Sequence, residues 1–453
     1  MKQSVTTRPF QQITLVGAGV VGHAIADAHL RAGCPVELVD NNLAALQACG
    51  EALVAAGHRL VHRGEFLASS ELVSFTPANP GEVPSPPTGP DQATEAARVE
   101  ALRIEALRVE ALRVEAPSID ALPDNAPPDQ PARLIIESIV ERVAEKRALF
   151  AELSQHLGRS AVLASNTSSL RIAQLDSAAA HPDLVCGLHF FMPVAGRDMV
   201  ELISGPETSQ NVIDQVAAHA RRIGKPPLLV ADSPGFLVNR LLWPYLNNAV
   251  RLLECGADHQ AIRRGAERLG MPLSPLELID MIGLRTAFDA GRAAWQAFPS
   301  RIEPSPILPG LIKRKLSGRS GLSGFYDYPE NSQTADPSAE LNPVASQIIA
   351  KYQREVRRWT DDEVYLNLAV PMLIEALLVL QAGVITEPDR LEDALRAGLG
   401  WQNQEGFFGQ FDASTVREAS EQFSPLCAAM RAPEALLASL GESLQTGTLK
   451  SKS

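Results

Sequence analysis

Apolar and polar positions along this chain follow two periods. The run Ile13-Thr-Leu-Val16 is apolar and rich in β-branched residues, breaks at Gly17-Ala18-Gly19, and gives way to apolar positions at helical spacing, Ala24, Ile25, Ala28 and Leu30. A second short apolar run over residues 36–39 ends in Asp40. The order strand, glycine turn, helix, strand predicts the opening of a parallel α/β sheet. Similar runs predict strands over residues 71–75, 134–136, 161–164, 184–189 and 199–203, with helical segments between several of them.

After Asp232 the texture changes to long amphipathic helices that carry an internal repeat. Pro244-Tyr-Leu-Asn-Asn-Ala249-Val-Arg-Leu-Leu253-Glu-Cys-Gly256 recurs as Pro371-Met-Leu-Ile-Glu-Ala376-Leu-Leu-Val-Leu380-Gln-Ala-Gly383, at a constant offset of 127, and Gly270 returns as Gly400. A duplicated helical module is expected. A third texture interrupts the sheet region at residues 78–131, where Pro-rich flanks enclose a five-residue repeat, Arg98-Val-Glu-Ala-Leu through Arg113-Val-Glu-Ala. Five residues advance a helix by about 500°, so the apolar positions spiral around the axis instead of forming one buried stripe. The segment reads as a surface excursion. The expected organisation is an α/β nucleotide-binding domain over 1–232 with that insertion, a helical domain over 233–335 and a second, degenerate helical domain over 336–453.

With 453 residues the chain has room for two to four domains. Its 41 Lys+Arg against 53 Asp+Glu leave a net charge of −12, which disfavours nucleic acid as a partner because phosphates are repelled. No apolar run reaches the length of a membrane span, and the first strand begins so early that no targeting peptide is expected, which points to a cytoplasmic protein. The five cysteines, Cys34, Cys49, Cys186, Cys255 and Cys427, are scattered and odd in number, a pattern of reduced thiols with neither a disulfide frame nor a zinc site. No metal is expected.

Gly17-x-Gly19-x-x-Gly22 has the spacing that lets a backbone turn tightly, approach a pyrophosphate and pack a helix on a strand. Asp40, 18 positions past Gly22, is placed to accept hydrogen bonds from a ribose diol and would repel a 2′-phosphate, favouring NAD over NADP. His189 ends an apolar run and precedes two phenylalanines, which by itself reads as a packed core histidine. Glu201 changes that reading, since a carboxylate within the apolar run Met199-Val-Glu-Leu-Ile203 needs a partner. A histidine and an acid on neighbouring strands would satisfy each other, and the pair suits a general base. The cluster Ser165-Asn-Thr-Ser-Ser169 is either a helix cap or a polar group at a carboxyl strand end, where open α/β sheets bind ligands. Asn239 is an amide in an apolar helix start whose repeat counterpart is Leu366.

These residues resemble the L-3-hydroxyacyl-CoA dehydrogenases. The resemblance rests on Val16-Gly-Ala-Gly-Val-Val-Gly22, Ile136-Glu-Ser-Ile-Val-Glu141, Ala164-Ser-Asn-Thr-Ser-Ser-Leu170, Gly187-Leu-His-Phe-Phe191, Asp232-Ser-Pro-Gly-Phe-Leu-Val-Asn-Arg240, Met271-Pro-Leu-Ser-Pro-Leu-Glu-Leu-Ile-Asp280 and Gly324-Phe-Tyr326, in family order across residues 13–328 with only the 78–131 excursion unmatched. It implies a Rossmann-type domain followed by all-α domains, with the second helical module similar to the extra unit of tandem bacterial enzymes, including the dehydrogenase half of the multifunctional β-oxidation enzyme. It implies oxidation of the 3-hydroxyl of an acyl-CoA thioester by NAD, with His189 as base, Glu201 orienting it, Ser168 and Asn239 binding the reacting oxygens, and Glu141 and Lys146 lining the cofactor site with Ser168. In relatives with one helical module a partner subunit supplies the second copy, so a monomer or a homodimer through the helical domains is implied.

Three departures stand against the family pattern: Met192 replaces the usual Asn beside the nicotinamide, only Arg59 and Arg63 near the end of the helix after Asp40 replace a CoA-binding lysine, and Arg319 with the extra Ser323 alters a basic position. Met192 and the long 78–131 insertion motivate an alternative, a catalytically weakened homologue that binds NAD and acyl-CoA as a sensor or scaffold. A dehydrogenase acting on a free hydroxy acid is a third reading.

Overall fold

The apolar runs become the centre of one nine-stranded sheet in the computed structural model, which describes residues 9–67, 70–76, 131–329, 340–403 and 406–411. The 78–131 repeat, all but its last residue, lies outside the described residues, as does Cys427. Contacts divide the chain into two compact units, Met1–Asp232 and Ser233–Ser453.

In the first unit, β1 (Gln12–Val16) is followed by helix α1 (Val20–Arg31), β2 (Val36–Asp40), α2 (Leu43–Ala55), β3 (Arg59–Leu67) and β4 (Ser70–Thr76). Next come β5 (Arg133–Glu137), α3 (Val143–Leu157), β6 (Ala161–Ser165), the short α4 (Ala173–Asp176), β7 (Val185–Phe190), β8 (Val200–Ser204), α5 (Gln210–Arg222) and β9 (Pro227–Ala231). The strand order is β3-β4-β2-β1-β5-β6-β7-β8-β9. Every residue of β5, β6 and β7 is buried, because helices cover both faces of the sheet centre. The sheet is mixed, not wholly parallel: β4 runs antiparallel to β2 and β3, and β8 antiparallel to β7. Arg59 and Arg63 therefore sit on a strand of the β3–β4 hairpin and not at a helix end, and β9 was not foreseen. Short apolar runs announce strands well, whereas Arg59-Leu-Val-His-Arg63 carries too many charges to read as one.

Helices α1 and α5 meet through two buried histidines. His29 donates from Nδ1 to the Ile25 carbonyl (2.8 Å), so its Nε2 accepts from Nε2–H of His219 (3.1 Å), and the rings stack at 5.2 Å. Burial pushes His29 down to about 4, and burial together with His29 and Arg222 holds His219 well below the ordinary imidazole value. Both are neutral when folded but take up protons near pH 6.5 when unfolded. Their contribution is complete above pH 6.5 and is lost as the pH falls towards 4. For His29 alone the full shift is worth about 3 kcal/mol, of which about 2 kcal/mol is gone by pH 5. Denaturant unfolding between pH 7 and 5 checks this; an unchanged stability across that window contradicts it.

The second unit contains α6 (Val238–Glu254), α7 (His259–Leu269), α8 (Pro275–Ile282), α9 (Leu284–Ala297), α10 (Ile307–Lys313), α11 (Pro343–Tyr352), α12 (Asp361–Gln381) and α13 (Pro388–Ala394). Its ends are chemically marked: Ser274 and Glu277 form a capping box on α8 with Pro275 in the first turn, Thr360 and Glu363 form another on α12, and Gly270 closes α7 in a left-handed cap. Helix α12 corrects the expectation that no apolar stretch reaches spanning length. With 21 residues and mean hydropathy 1.8 it is the one helix among the described residues long and apolar enough to cross a membrane. Its apolar stretch is 78 % buried and packs on α6 and α7, as a core helix does.

The internal repeat is visible in the helices. Pro244 lies inside α6 and Pro371 inside α12, Gly256 and Gly383 both have positive φ (82° and 64°), and Gly270 and Gly400 are both left-handed caps (φ 91° and 72°). Where α6 and α12 pack, Arg240 pairs with Glu375 (2.5 Å) and Asn248 Nδ2 donates to the Asn367 carbonyl (3.0 Å). Position 240 plus 127 is 367, and 248 plus 127 is 375. Each contact is thus the image of the other under the repeat, the pattern of an isologous twofold interface within one chain.

Candidate active site

The glycine loop joins β1 to α1, and its three glycines answer to three demands. A Cβ on Gly17 (φ 109°) would lie 2.5 Å from the Ser138 carbonyl oxygen, and one on Gly22 would lie 1.8 Å from that of Gly17. These two are required by the protein's own packing. Among the described residues nothing lies within 4 Å of a Cβ placed on Gly19. Packing leaves that glycine unexplained, and a ligand backbone approaching closely explains it. Gly19 is also the N-cap of α1, with no side-chain cap and no acid in the first turn, so the helix end presents uncapped N–H groups to an anion. Asp40, at the end of β2, accepts from Ala18 N through one oxygen and from Asn42 N through the other, both at 2.7 Å. Each oxygen retains a lone pair for a hydroxyl. Exposed Val20, Leu43 and Val140 follow the ends of β1, β2 and β5. These residues fit a dinucleotide.

At the carboxyl ends of β5 and β6 two glutamates share one lysine. Glu137 is wholly buried; it pairs with Lys146 Nζ and accepts from Ser165 Oγ (2.6 Å) and Ile139 N (2.7 Å). Glu141 lies 3.3 Å from the same amine and accepts from Thr167 Oγ1 (2.6 Å), Ser168 N (3.1 Å), Ser169 N (3.1 Å) and Ser169 Oγ (2.8 Å). Burial pushes the Glu141 carboxyl up, but Lys146 and the bonds from Thr167, Ser169 and Ser168 outweigh it and hold the group below the usual range. Lys146 is only 1 % exposed. Its amine sets Glu141, and Glu141 sets the backbone that presents half-buried Ser168. The polar cluster is therefore a ligated loop and not a helix cap.

His189 and Glu201 face each other directly across the β7–β8 ladder. Nδ1 of His189 lies 2.7 Å from Glu201 Oε2, with His189 7 % exposed and Glu201 wholly buried. Antiparallel pairing puts the two side chains on one face of the sheet. Phe191 packs edge-on against the imidazole at 5.3 Å between ring centroids. Asn166, a member of the polar cluster to which no separate role was given, ties this strand to its neighbours: its Oδ1 accepts from Phe190 N (2.8 Å) and its Nδ2 donates to Ser138 Oγ (3.3 Å). Met192 is 43 % exposed just beyond β7. Asn239 lies in the first turn of α6, half-buried, in the second unit. Among the described residues no three His, Cys, Asp or Glu side chains gather closely enough to hold a metal ion.

Comparison with known proteins points to one family. The family profile described as 3-hydroxyacyl-CoA dehydrogenase, NAD binding domain, matches residues 12–75 and 109–233, and that described as 3-hydroxyacyl-CoA dehydrogenase, C-terminal domain, matches residues 235–328. The unmatched stretch, 76–108, is shorter than the excursion read at 78–131. Among solved structures, a 3-hydroxybutyryl-CoA dehydrogenase from Escherichia coli K12 aligns over 97 % of this chain and all of its own, with TM-score 0.68 and 22 % identity, which speaks to the fold. FadB2 of M. tuberculosis aligns over 71 % of this chain and all of its own, with TM-score 0.52 and 28 % identity. The dehydrogenase part of C. elegans multifunctional enzyme 1 aligns over 95 % of this chain and 90 % of its own, with TM-score 0.56 and 23 % identity. Two profiles in family order over more than half the chain, a nucleotide fold and a glycine loop that fits NAD lead to one statement: the chain belongs to the NAD-dependent 3-hydroxyacyl-CoA dehydrogenase family.

Proposed function

We propose that this protein is an L-3-hydroxyacyl-CoA dehydrogenase that interconverts an L-3-hydroxyacyl-CoA and its 3-oxoacyl-CoA. The observation that carries the reading is the His189–Glu201 pair, a ring nitrogen 2.7 Å from a wholly buried carboxylate. The buried acid accepts from Nδ1–H and so makes Nε2 the basic nitrogen. His189 takes the 3-hydroxyl proton at that atom, and Glu201 stabilises the imidazolium that results. NAD, when bound, accepts the hydride from C3. Gly17, Gly19 and Gly22 with Asp40 hold its pyrophosphate and ribose, and Glu141, set by Lys146, fixes the loop of Ser168. Ser168 hydrogen-bonds the reacting oxygen, and the same role for Asn239 rests on the family resemblance alone. In the reverse direction His189 returns the proton. A cytoplasmic place in fatty-acid β-oxidation belongs to the same proposal and rests on the family resemblance.

The domain reading also belongs here: nucleotide-binding domain 1–232, helical domain 233–335 and degenerate helical domain 336–453. The mirrored α6–α12 contacts support a second module that stands in for a partner subunit, which leaves the chain monomeric through that face.

The test is NADH consumption by the purified chain with 3-oxoacyl-CoA thioesters of short, medium and dicarboxylic chains. Turnover of acetoacetyl-CoA is expected. A panel with no consumption overturns the reading, and tight NADH binding without turnover points instead to a sensor or scaffold. Oxidation of the free hydroxy acid with the thioester ignored identifies the third reading.

A further inference from the structure

The loop between β7 and β8, residues 191–199, leaves the sheet two residues after His189 and carries both Phe191 and Met192. Its only internal regular structure is a single 3-10 turn, Val194–Gly196, with Val194 buried and packed towards α1. Arg197 Nε reaches back to the Met192 carbonyl at 3.4 Å, a weak tie. The strong tie comes from outside the loop. Lys225, 8 % exposed, donates from Nζ to the Val194 carbonyl (2.8 Å) and to the Arg197 carbonyl.

The base of that arm is rigid. Lys225 follows the C-terminal cap of α5, where Gly224 has φ 70° and Lys225 N donates to the Ala220 carbonyl at 2.9 Å. It leads directly into β9, whose Pro227 pairs with Val200 of β8. The lysine therefore stands beside the strand end where β8 begins, one residue before Glu201. Among the described residues no carboxylate forms an ion pair with it; burial lowers the affinity of the amine for its proton, and only Asp198 acts in the opposite sense. A buried amine placed against two main-chain carbonyls adds nothing to an apolar core, and an apolar residue of the same length would serve packing as well. What it does supply is a fixed loop geometry through bonds to a cationic donor.

We propose that Lys225 is a positioning residue for hydride and proton transfer: by fixing the carbonyls of Val194 and Arg197 it holds the 191–199 loop, and through Phe191 it holds the ring of His189. The proposal rests on His189 acting as the base. Misplacing a reacting group by about 1 Å costs on the order of a hundredfold in rate, so loss of the tether should appear in the chemical step.

The experiment compares wild type, Lys225→Met and Lys225→Arg, each assayed well below its own melting temperature. Three quantities are read: amide hydrogen exchange of the 191–199 loop, kcat and KM with acetoacetyl-CoA, and the primary isotope effect with NADH deuterated at the transferred position. In Lys225→Met the loop exchanges at least about tenfold faster while β7 and β8 are unchanged. Its kcat falls about tenfold or more with a KM for the thioester close to wild type, and the isotope effect rises because hydride transfer limits the rate. Lys225→Arg, which keeps a cationic donor, recovers most of the loss. If Lys225→Met does not fold, Lys225→Gln carries the same comparison with the cationic donor replaced by a neutral, shorter amide. Unchanged loop exchange overturns the proposal, as does faster exchange with kcat and isotope effect unaltered, which is a purely structural role. A wild type without NADH turnover overturns the catalytic half through the reading it rests on, whereas the tether stands or falls on exchange alone.

Discussion

Replacing His189 by Gln should lower kcat about a thousandfold, within the 10²–10⁴ range of a lost general acid–base group, while NADH binding stays within about twofold. Glutamine approximates the volume of the ring and can still donate to Glu201, so the 2.7 Å contact can persist with the proton acceptor gone. Glu201→Gln should fall by a similar factor for a different reason. An amide facing Nδ1 can donate to it and stabilise the tautomer that carries its proton on Nε2, which is the wrong tautomer for a base. Steady-state kinetics paired with fluorescence titration of NADH separates chemistry from binding. A fall of less than tenfold in either variant would remove these residues from the reaction.

Glu375→Ala should destabilise the second unit by about 3–5 kcal/mol, the usual cost of stranding one partner of a buried ion pair. Glu375 meets Arg240 at 2.5 Å and Arg301 at 3.1 Å, and both guanidinium groups lie over the ring of Phe298. Burial pulls the Arg240 guanidinium below its ordinary value, and the Glu375 carboxylate acts in the opposite sense. Without the acid, Arg240 remains buried and uncompensated. The mirrored contact is neutral, so Asn248→Ala should cost only about 1 kcal/mol. Denaturant unfolding of the two variants reads both values, and equal losses would show that the ion pair carries no special weight.

The features legible in the sequence are those encoded by neighbours in the chain. The strand Arg133-Leu-Ile-Ile-Glu137, the glycine turn after Val16 and the paired prolines of α6 and α12 each announce themselves within a dozen residues. His189 and Glu201 were also legible, because an acid inside an apolar run demands an explanation. Lys146 entered only through the family resemblance, which set it with Glu141; that Glu137 also pairs with it and draws it inside is not marked in Val143-Ala-Glu-Lys-Arg. Lys225 was equally silent, since its partners are main-chain carbonyls, which no residue type advertises. The His29–His219 and Arg240–Glu375 contacts span 190 and 135 positions, and nothing local marks either. The length of α12 was missed because Glu375 interrupts the apolar run, although that glutamate is itself paired in the core.

The two mirrored contacts between α6 and α12 differ in chemistry, one ionic and one an amide to a carbonyl. Two separate copies of one gene product could never differ in this way, since any replacement would strike both sides of the axis at once. Fusing the halves into a single polypeptide lets each side mutate alone, and it removes the dependence of the pairing on cellular concentration. One half is then free to drift into a pure support while the other keeps the residues that chemistry demands.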